Sequence, residues 1–83
     1  MPKSVYTDQY RAFRQSLINA RKAADLTQYD LAQRLSKPQS FVSKFELGER
    51  RLDIIEFIAV ARAIGVNPCD IIHNLDTLYD EDK

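Results

Sequence analysis

The stretch "SKPQSFVSKFELGERR", residues 36–51, holds the side chains of this chain best suited to contact another molecule. Where an ordinary surface helix carries Glu and Lys, this segment offers an amide, two hydroxyls and an amine, at Gln39, Ser40, Ser43 and Lys44. These groups donate and accept hydrogen bonds, and the two serines are small enough to let a helix approach a partner closely. Arg50 and Arg51 follow a glycine and add cations that bind anionic oxygens. The pattern indicates recognition through hydrogen bonds and charge.

Cys69 and His73 are the side chains that invite a metal or catalytic interpretation. They lie four residues apart on one face of a predicted helix, a spacing that can supply two metal ligands. Two ligands do not complete a site and the sequence holds no second cluster, so the pattern favours a buried cysteine and a half-exposed histidine. One histidine and two glycines argue against a Ser/His/Asp set and a glycine-rich phosphate loop. We therefore predict no catalytic residue, no metal and no cofactor.

The elements that position these residues are predicted to be helices, because apolar residues recur every three to four positions and no strand signal appears. A first helix is predicted from about Asp8 to Ala24, with Thr7 as its N-cap. Its apolar stripe consists of Tyr6, Tyr10, Phe13, Leu17, Ala20 and Ala24. Thr27 and Asp30 have the spacing of a capping box, which begins a second helix of about two turns at Gln28.

Pro38 separates this second helix from a third, predicted over residues 39–46. Proline has no amide hydrogen to donate, so it suits a turn or the first position of a new helix. Val42 and Phe45 form the inward pair of the third helix. Gly48 is its expected left-handed stop.

Two further helices complete the prediction. Asp53 caps a fourth helix that runs to about Ile64, and Asn67 caps a fifth with Pro68 in its first position. Their inward residues are predicted to be Ile54, Phe57, Ile58, Ala61, Ile64, Ile71, Ile72 and Leu75. The result is an all-α chain of five short helices, which must pack together because each is too short to be stable alone.

Size and composition are those of one small intracellular domain. The 83 residues, 45% hydrophobic and 29% charged, predict one domain over residues 1–83, with a folded core at about 8–75 and mobile ends. A single cysteine fits a reducing compartment, and the N-terminus has no apolar run typical of a secretory signal. No stretch is long and apolar enough to span a membrane. We expect a cytoplasmic protein.

The formal net charge of zero conceals a division along the chain. Residues 1–51 hold ten Lys and Arg and five Asp and Glu, a net charge of +5. Residues 52–83 hold two basic and seven acidic side chains, a net charge of −5. This division indicates one side that binds a polyanion and one that avoids it. The alternative is chance together with an acidic, solvated C-terminal tail.

Three blocks of the sequence, in this order and spacing, resemble one known family. The blocks "LTQYDLAQRL", "SFVSKFELGERR" and "AVARAIGVNPCDII" are similar to the helix-turn-helix domain of phage Cro and repressor proteins and their small bacterial relatives, the XRE family. The resemblance covers roughly residues 14–75. It implies a five-helix lambda-repressor-like fold whose third helix, residues 39–46, lies in the major groove of double-stranded DNA.

The resemblance also implies roles that the chemistry of the side chains can perform. An amide can bond to adenine and an amine to guanine, so the implied base readers are Gln39, Ser40, Ser43 and Lys44. The implied phosphate contacts are Gln28, Lys37, Arg50 and Arg51. Arg21 and Glu46 match a structural ion pair between the first and third helices. Phe41 either meets a thymine methyl group or folds back over the turn into the core.

The turn before the third helix departs from the family in two places. Relatives usually carry glycine where this chain has Ser36, a position that often needs a positive φ. Relatives often carry a small hydroxyl residue where this chain has Pro38, so the third helix must begin without that cap. Either the serine takes a strained conformation or the turn has a different geometry.

The function implied is sequence-specific DNA binding by a small, repressor-like transcriptional regulator that occupies a palindromic operator as a homodimer. The fourth and fifth helices hold more apolar residues than one small core needs, and the surplus predicts a dimer surface at Ile55, Ile58, Ile72 and Leu78. The alternative is an interaction protein, such as an antitoxin-like partner acting through its C-terminal half. A helix with a polar face can also bind a protein.

Overall fold

The computed structural model describes the backbone of residues 5–81 and the side chains of residues 8–79. This part of the chain forms five α-helices, and it contains no strand. The helices are α1 (Val5–Ala23), α2 (Gln28–Leu35), α3 (Gln39–Leu47), α4 (Ile54–Ile64) and α5 (Pro68–Glu81). The predicted all-α class is confirmed. None of these helices is long and apolar enough to cross a membrane.

The start of α1 differs from the prediction, and α5 has an end that the sequence analysis did not assign. α1 begins at Val5, so the prediction of a start at Asp8 with Thr7 as N-cap is wrong. Between Val5 and Asp8 the chain has neither Gly nor Pro, the residues that most often interrupt a helix. Threonine can continue a helix as well as cap one. α5 extends to Glu81, beyond the apolar positions that predicted it, because nothing in its acidic last turns breaks a helix.

Side-chain caps begin three of the helices. Thr27 and Asp30 form the predicted capping box: the Thr27 hydroxyl accepts from the Asp30 amide, and the Asp30 carboxylate accepts from the Thr27 amide, each at 3.0 Å. Asp53 caps α4 as predicted, and Glu56 completes a second capping box. The Asn67 side chain accepts from the Cys69 amide at 2.9 Å. These local hydrogen bonds define where α2, α4 and α5 begin.

The turn between α2 and α3 has the left-handed geometry that the resemblance implied at Ser36. Ser36 takes the left-handed conformation, with φ 55° and ψ 43°, and so accepts the strain of a positive φ with a Cβ atom. Pro38 occupies the N-cap position of α3, and no side chain caps that helix end. Gly48 ends α3 at φ 84°, as predicted.

The core lies where all five helices meet, and most of it was predicted correctly. Its buried side chains include Leu17, Leu31, Val42, Phe45, Phe57 and Val60. The predictions that Ile54, Ile58 and Ile72 point inward are wrong, since these side chains are 58%, 38% and 47% exposed. In α4 the buried positions 57, 60, 61 and 64 form one stripe, and residues 54 and 58 lie beside it.

Cys69 was predicted to be buried and His73 half-exposed, and both are exposed. On α5 the buried stripe runs through Pro68 and Ile71, with Leu75 packed against the core. Positions 69 and 73 therefore face away from this stripe. Among the residues that the structure describes, no group of three or more His, Cys, Asp and Glu is arranged to hold a metal ion.

Candidate nucleic-acid interface

The outer face of α3 carries the predicted base readers. Gln39, Ser40 and Lys44 are exposed, while Ser43 is half-buried and its hydroxyl donates to the Ser40 carbonyl at 3.3 Å. Pro38, the N-cap residue of α3, makes no side-chain hydrogen bond to the amides of the first turn of this helix. The N-terminal end of this helix therefore combines exposed hydrogen-bonding side chains with a partial positive charge.

A buried ion pair joins α3 to α1. Arg21 Nε donates to Glu46 Oε2 at 2.7 Å and Arg21 Nη2 donates to Glu46 Oε1 at 3.1 Å, and the two residues are 8% and 7% exposed. Arg21 Nη1 also donates to the Leu26 carbonyl at 2.8 Å. The two-point contact fixes the orientation of the guanidinium as well as its distance. It thereby fixes the C-terminal half of α3 against α1.

Gln28, a predicted phosphate contact, lies in the same network. Its side-chain Nε2 donates to Glu46 Oε1 at 2.9 Å, at the first position of α2. One of its two amide hydrogens is therefore used inside the protein, and the other remains to meet an anion. Gln28 thus joins the start of α2 to the pair that fixes α3.

Arg14 is a supporting residue that the sequence reasoning missed. Its Nη1 donates to the Glu46 carbonyl at 2.8 Å. Its guanidinium packs closely against Gly48, and a Cβ atom at that position would lie 3.0 Å from Arg14 Cζ. It thus binds a carbonyl at the C-terminal end of α3, where a cation is favoured. Arg14 precedes Arg21 by seven residues, so both lie on one face of α1, and this spacing was the available signal.

Phe41 folds back toward the core. Its ring packs against the core with its centroid 5.7 Å from that of Phe45, in an edge-to-face arrangement. Two cations lie over the same ring, Lys37 Nζ at 5.4 Å and Arg50 Cζ at 4.9 Å from the centroid. The structure therefore agrees with the second of the two alternatives, and the ring brings two predicted phosphate contacts together beside α3.

Arg50 is engaged by an acid of α4. Its Nη2 donates to Glu56 Oε2 at 2.6 Å and its Nη1 donates to Glu56 Oε1 at 3.0 Å. The hydrogen bond from Arg50, followed by that from the Asp53 amide, lowers the pKa of Glu56 to about 2. The same hydrogen bond raises the pKa of Arg50. Arg50 therefore presents a neutralised pair to its surroundings.

Arg51 lies over an aromatic ring of α1. Its guanidinium carbon is 4.2 Å from the centroid of the Tyr10 ring, and the Tyr10 hydroxyl accepts from the Leu52 amide at 3.2 Å. This contact holds the segment between α3 and α4 against α1. Arg51 is exposed, and among the described residues no carboxylate forms a salt bridge with it. Its charge is available to an external anion.

The four residues of the predicted dimer surface are apolar, and three of them are exposed. Ile55, Ile58 and Ile72 are 71%, 38% and 47% exposed, and Leu78 is half-buried. The isoleucines lie on α4 and α5, which pack against each other. Exposed apolar side chains on two helices that contact each other favour an interaction surface on this side of the protein.

Two short helices joined by a tight turn, with the second helix exposed and fixed by a buried ion pair, define a helix-turn-helix protein. Comparison with known proteins agrees: residues 17–71 match the helix-turn-helix family. The chain also resembles a solved structure of an XRE-family like protein from Pseudomonas syringae pv. tomato str. DC3000. The two share 46% sequence identity with a TM-score of 0.87, over 89% of this chain and 90% of that chain. No significant match occurs among curated proteins.

This chain belongs to the XRE-type helix-turn-helix family of DNA-binding transcription regulators. The family resemblance inferred from the three sequence blocks and the five-helix fold that it implied are thereby confirmed.

Proposed function

We propose that the protein binds double-stranded DNA in a sequence-specific manner, through α3 in the major groove, and regulates transcription by occupying an operator. The observation that carries this proposal is the exposed, hydrogen-bonding N-terminal half of α3 on a helix fixed by the buried Arg21–Glu46 pair. Base reading needs side chains presented at a constant angle, since a hydrogen bond to a base edge tolerates little displacement. The protein then acts by binding, like a repressor, and not by catalysis.

In this proposal Gln39, Ser40, Ser43 and Lys44 read bases. Gln28, Lys37, Arg50 and Arg51 bind phosphates on either side of the groove and fix the register without reading sequence. The positions of Lys37 and Arg50 over Phe41, beside α3, support this division of roles. The uncapped N-terminus of α3 adds an electrostatic attraction for the backbone.

The proposal includes a homodimer formed through α4 and α5. The exposed isoleucines at positions 55, 58 and 72 support this contact, because burying them in a two-fold interface removes apolar surface from water. A dimer would place the two α3 helices on half-sites about 34–36 Å apart, one turn of the duplex. The operator would then be palindromic.

Selection of bound duplexes from a random library at physiological salt tests the proposal directly. Enrichment of a palindrome with half-sites one turn apart is the expected result. Enrichment of a single half-site would retain base reading and reject the dimer. No enrichment by a folded protein would reject sequence-specific binding and leave a non-specific basic surface.

A protein partner is the second candidate, and the same exposed isoleucines favour it. An antitoxin-like module would use this face for a different protein, not for a second copy. Sedimentation equilibrium of the purified chain separates the two. A dimer in micromolar protein supports self-association, and a monomer that binds only half-sites supports a different partner.

A further inference from the structure

Arg50 is more constrained than a surface arginine requires. The edge of its guanidinium formed by Nη1 and Nη2 is bound to Glu56 at 3.0 and 2.6 Å, and Nη1 also donates to the Arg51 carbonyl at 3.1 Å. A guanidinium has a second, equivalent edge, formed by Nε and the remaining Nη2 hydrogen. In the part of the chain that the structure describes, we find no acceptor for this edge. It has the fork geometry that matches a phosphate.

The ring of Phe41 determines where the guanidinium lies. Arg50 Cζ is 4.9 Å from the ring centroid, which places the planar group beside the N-terminal half of α3. Lys37 Nζ lies 5.4 Å from the same centroid, and its charge also acts on Glu56. Around this ring lies a set of four residues, the Phe41 cluster, which consists of Lys37, Phe41, Arg50 and Glu56. The cluster carries two cations and one anion next to the helix that meets DNA.

Glu56 is itself fixed in place. Its Oε1 accepts from the Asp53 amide at 3.0 Å, and its own amide donates to Asp53 Oδ1 at 2.7 Å. The carboxylate therefore holds its position at the first turn of α4 before Arg50 binds it. An acid this close to a DNA-binding helix would repel phosphates unless an arginine neutralised it. Its presence thus needs a reason beyond the cap.

We propose that Glu56 is a positioning residue, which holds Arg50 over the Phe41 ring so that the second guanidinium edge binds one DNA phosphate beside α3. This inference rests on the proposed DNA-binding function. Glu56 and Arg50 together add no net charge. The pair therefore contributes to phosphate binding by orienting the guanidinium for a two-point hydrogen bond. Lys37, over the same ring, supplies the positive charge that attracts the phosphate. The ordering of the arginine side chain takes place on folding and not on binding.

Glu56→Gln tests this role, with Glu49→Gln as its matched control. Glutamine retains an acceptor for the Asp53 amide, so the capping box persists, while the two-point contact to Arg50 is lost. Glu49 is exposed, precedes Arg50 directly, and its replacement removes the same charge. Relative to Glu49→Gln, Glu56→Gln should bind the selected operator about five- to tenfold more weakly, which is the loss expected for one misdirected charge-assisted contact.

A double variant shows whether Glu56 acts through Arg50. Arg50→Lys keeps the charge and removes the fork, so adding Glu56→Gln to it should change operator affinity no more than Glu49→Gln does in the same background. Thermal melts by circular dichroism give the unfolding temperature of each variant, and binding is measured below the lowest of these temperatures.

The outcomes separate the two levels of the proposal. If wild type binds the operator and Glu56→Gln binds it at least as tightly as Glu49→Gln does, the positioning role alone is overturned. An additive loss in the Arg50→Lys background does the same. Wild type that binds no duplex overturns the DNA-binding function, and the positioning role with it.

Discussion

Gln39 lies exposed at the first position of α3, where its amide can both donate to and accept from one base edge. Gln39→Ala should weaken binding to the preferred operator by about 1–3 kcal/mol, because a two-point contact to one base is lost. Binding to random duplex should stay nearly constant, since no phosphate contact changes. Titration of both duplexes at one salt concentration measures the difference. An equal loss on both would remove Gln39 from the base readers.

Arg51 differs from Gln39 because its contribution is charge. Its guanidinium lies over Tyr10, is exposed, and forms no salt bridge within the described part of the chain. Arg51→Ala should therefore weaken all duplexes alike and reduce the slope of log affinity against log salt by about one unit. Affinities at four or more salt concentrations give this slope. Arg62→Ala, an exposed arginine at the far end of α4, is the control and should leave it unchanged.

At the scale of elements, the angle of α3 depends on one buried carboxylate. Glu46 accepts from Arg21 and from Gln28, and its own backbone carbonyl accepts from Arg14, so three side chains from α1 and α2 converge on it. Glu46→Ala leaves the Arg21 guanidinium buried without its partner. The free energy of unfolding should fall by about 3–5 kcal/mol.

Urea denaturation of Glu46→Ala measures that loss, with Glu49→Ala as an exposed control expected to change stability little. A loss below about 1 kcal/mol would mean that Arg21 finds water or another acceptor, and that the pair does not fix α3.

The turn before α3 offers a stabilising substitution. Ser36 has a φ of 55°, a conformation in which the Cβ atom of serine is unfavourable and glycine is not. Ser36→Gly should raise stability by about 0.5–1 kcal/mol, since relief of strain exceeds the added flexibility of the unfolded chain. Ser36→Ala keeps the Cβ atom and should give no gain. Thermal melts of the two variants distinguish strain from any effect of the hydroxyl.

The elements themselves were largely predictable from the sequence, because their ends are encoded locally. The capping box at Thr27 and the glycine at position 48 act within a few residues of themselves. The inward face of α4 was predicted only in part: Phe57, Ala61 and Ile64 are buried as predicted. Apolar residues surround that helix and leave few polar positions to mark its outside. Ile54 and Ile58 were assigned to the core for this reason.

The support of α3 was predicted only where a family pattern existed, although the spacing of Arg14 and Arg21 places both on one face of α1. Arg21 and Glu46 could be matched from the resemblance, whereas the contacts of Arg14 and the bond between Arg50 and Glu56 join residues whose pairing depends on the packed fold. Side chains on different elements meet because of tertiary geometry, which periodicity does not encode.

For the whole molecule, acid should reveal how much Glu56 contributes to folding. Its pKa is lowered from 4.5 to about 2 in the folded protein, first by Arg50 and then by the Asp53 amide. A lowered pKa stabilises the fold above the unfolded value, so this contribution is complete above pH 4.5 and declines as the pH falls toward 2. Asp30, whose pKa the Thr27 cap lowers, acts in the same direction.

Urea denaturation between pH 5 and pH 2 measures this decline. Glu56→Gln should lose less stability over that range than wild type, because it has no carboxylate to protonate, whereas Glu49→Gln should follow wild type. If stability falls with pH equally in wild type and Glu56→Gln, the pKa of the Glu56 carboxylate does not change on folding.

The division of charge along the chain is also a division of charge between helices in the folded protein. α5 carries Asp70 and Asp76 and packs against α1 and α4, while α3 packs against α1 and α2. A molecule with a net charge of zero feels little overall pull toward DNA, but an uneven one experiences a torque in the field of the phosphates. This torque acts within a few Debye lengths, each about 8 Å at physiological salt. Encounters would then be brief when the acidic end leads and productive when α3 leads, so the association rate constant should depend on salt through orientation more than through attraction.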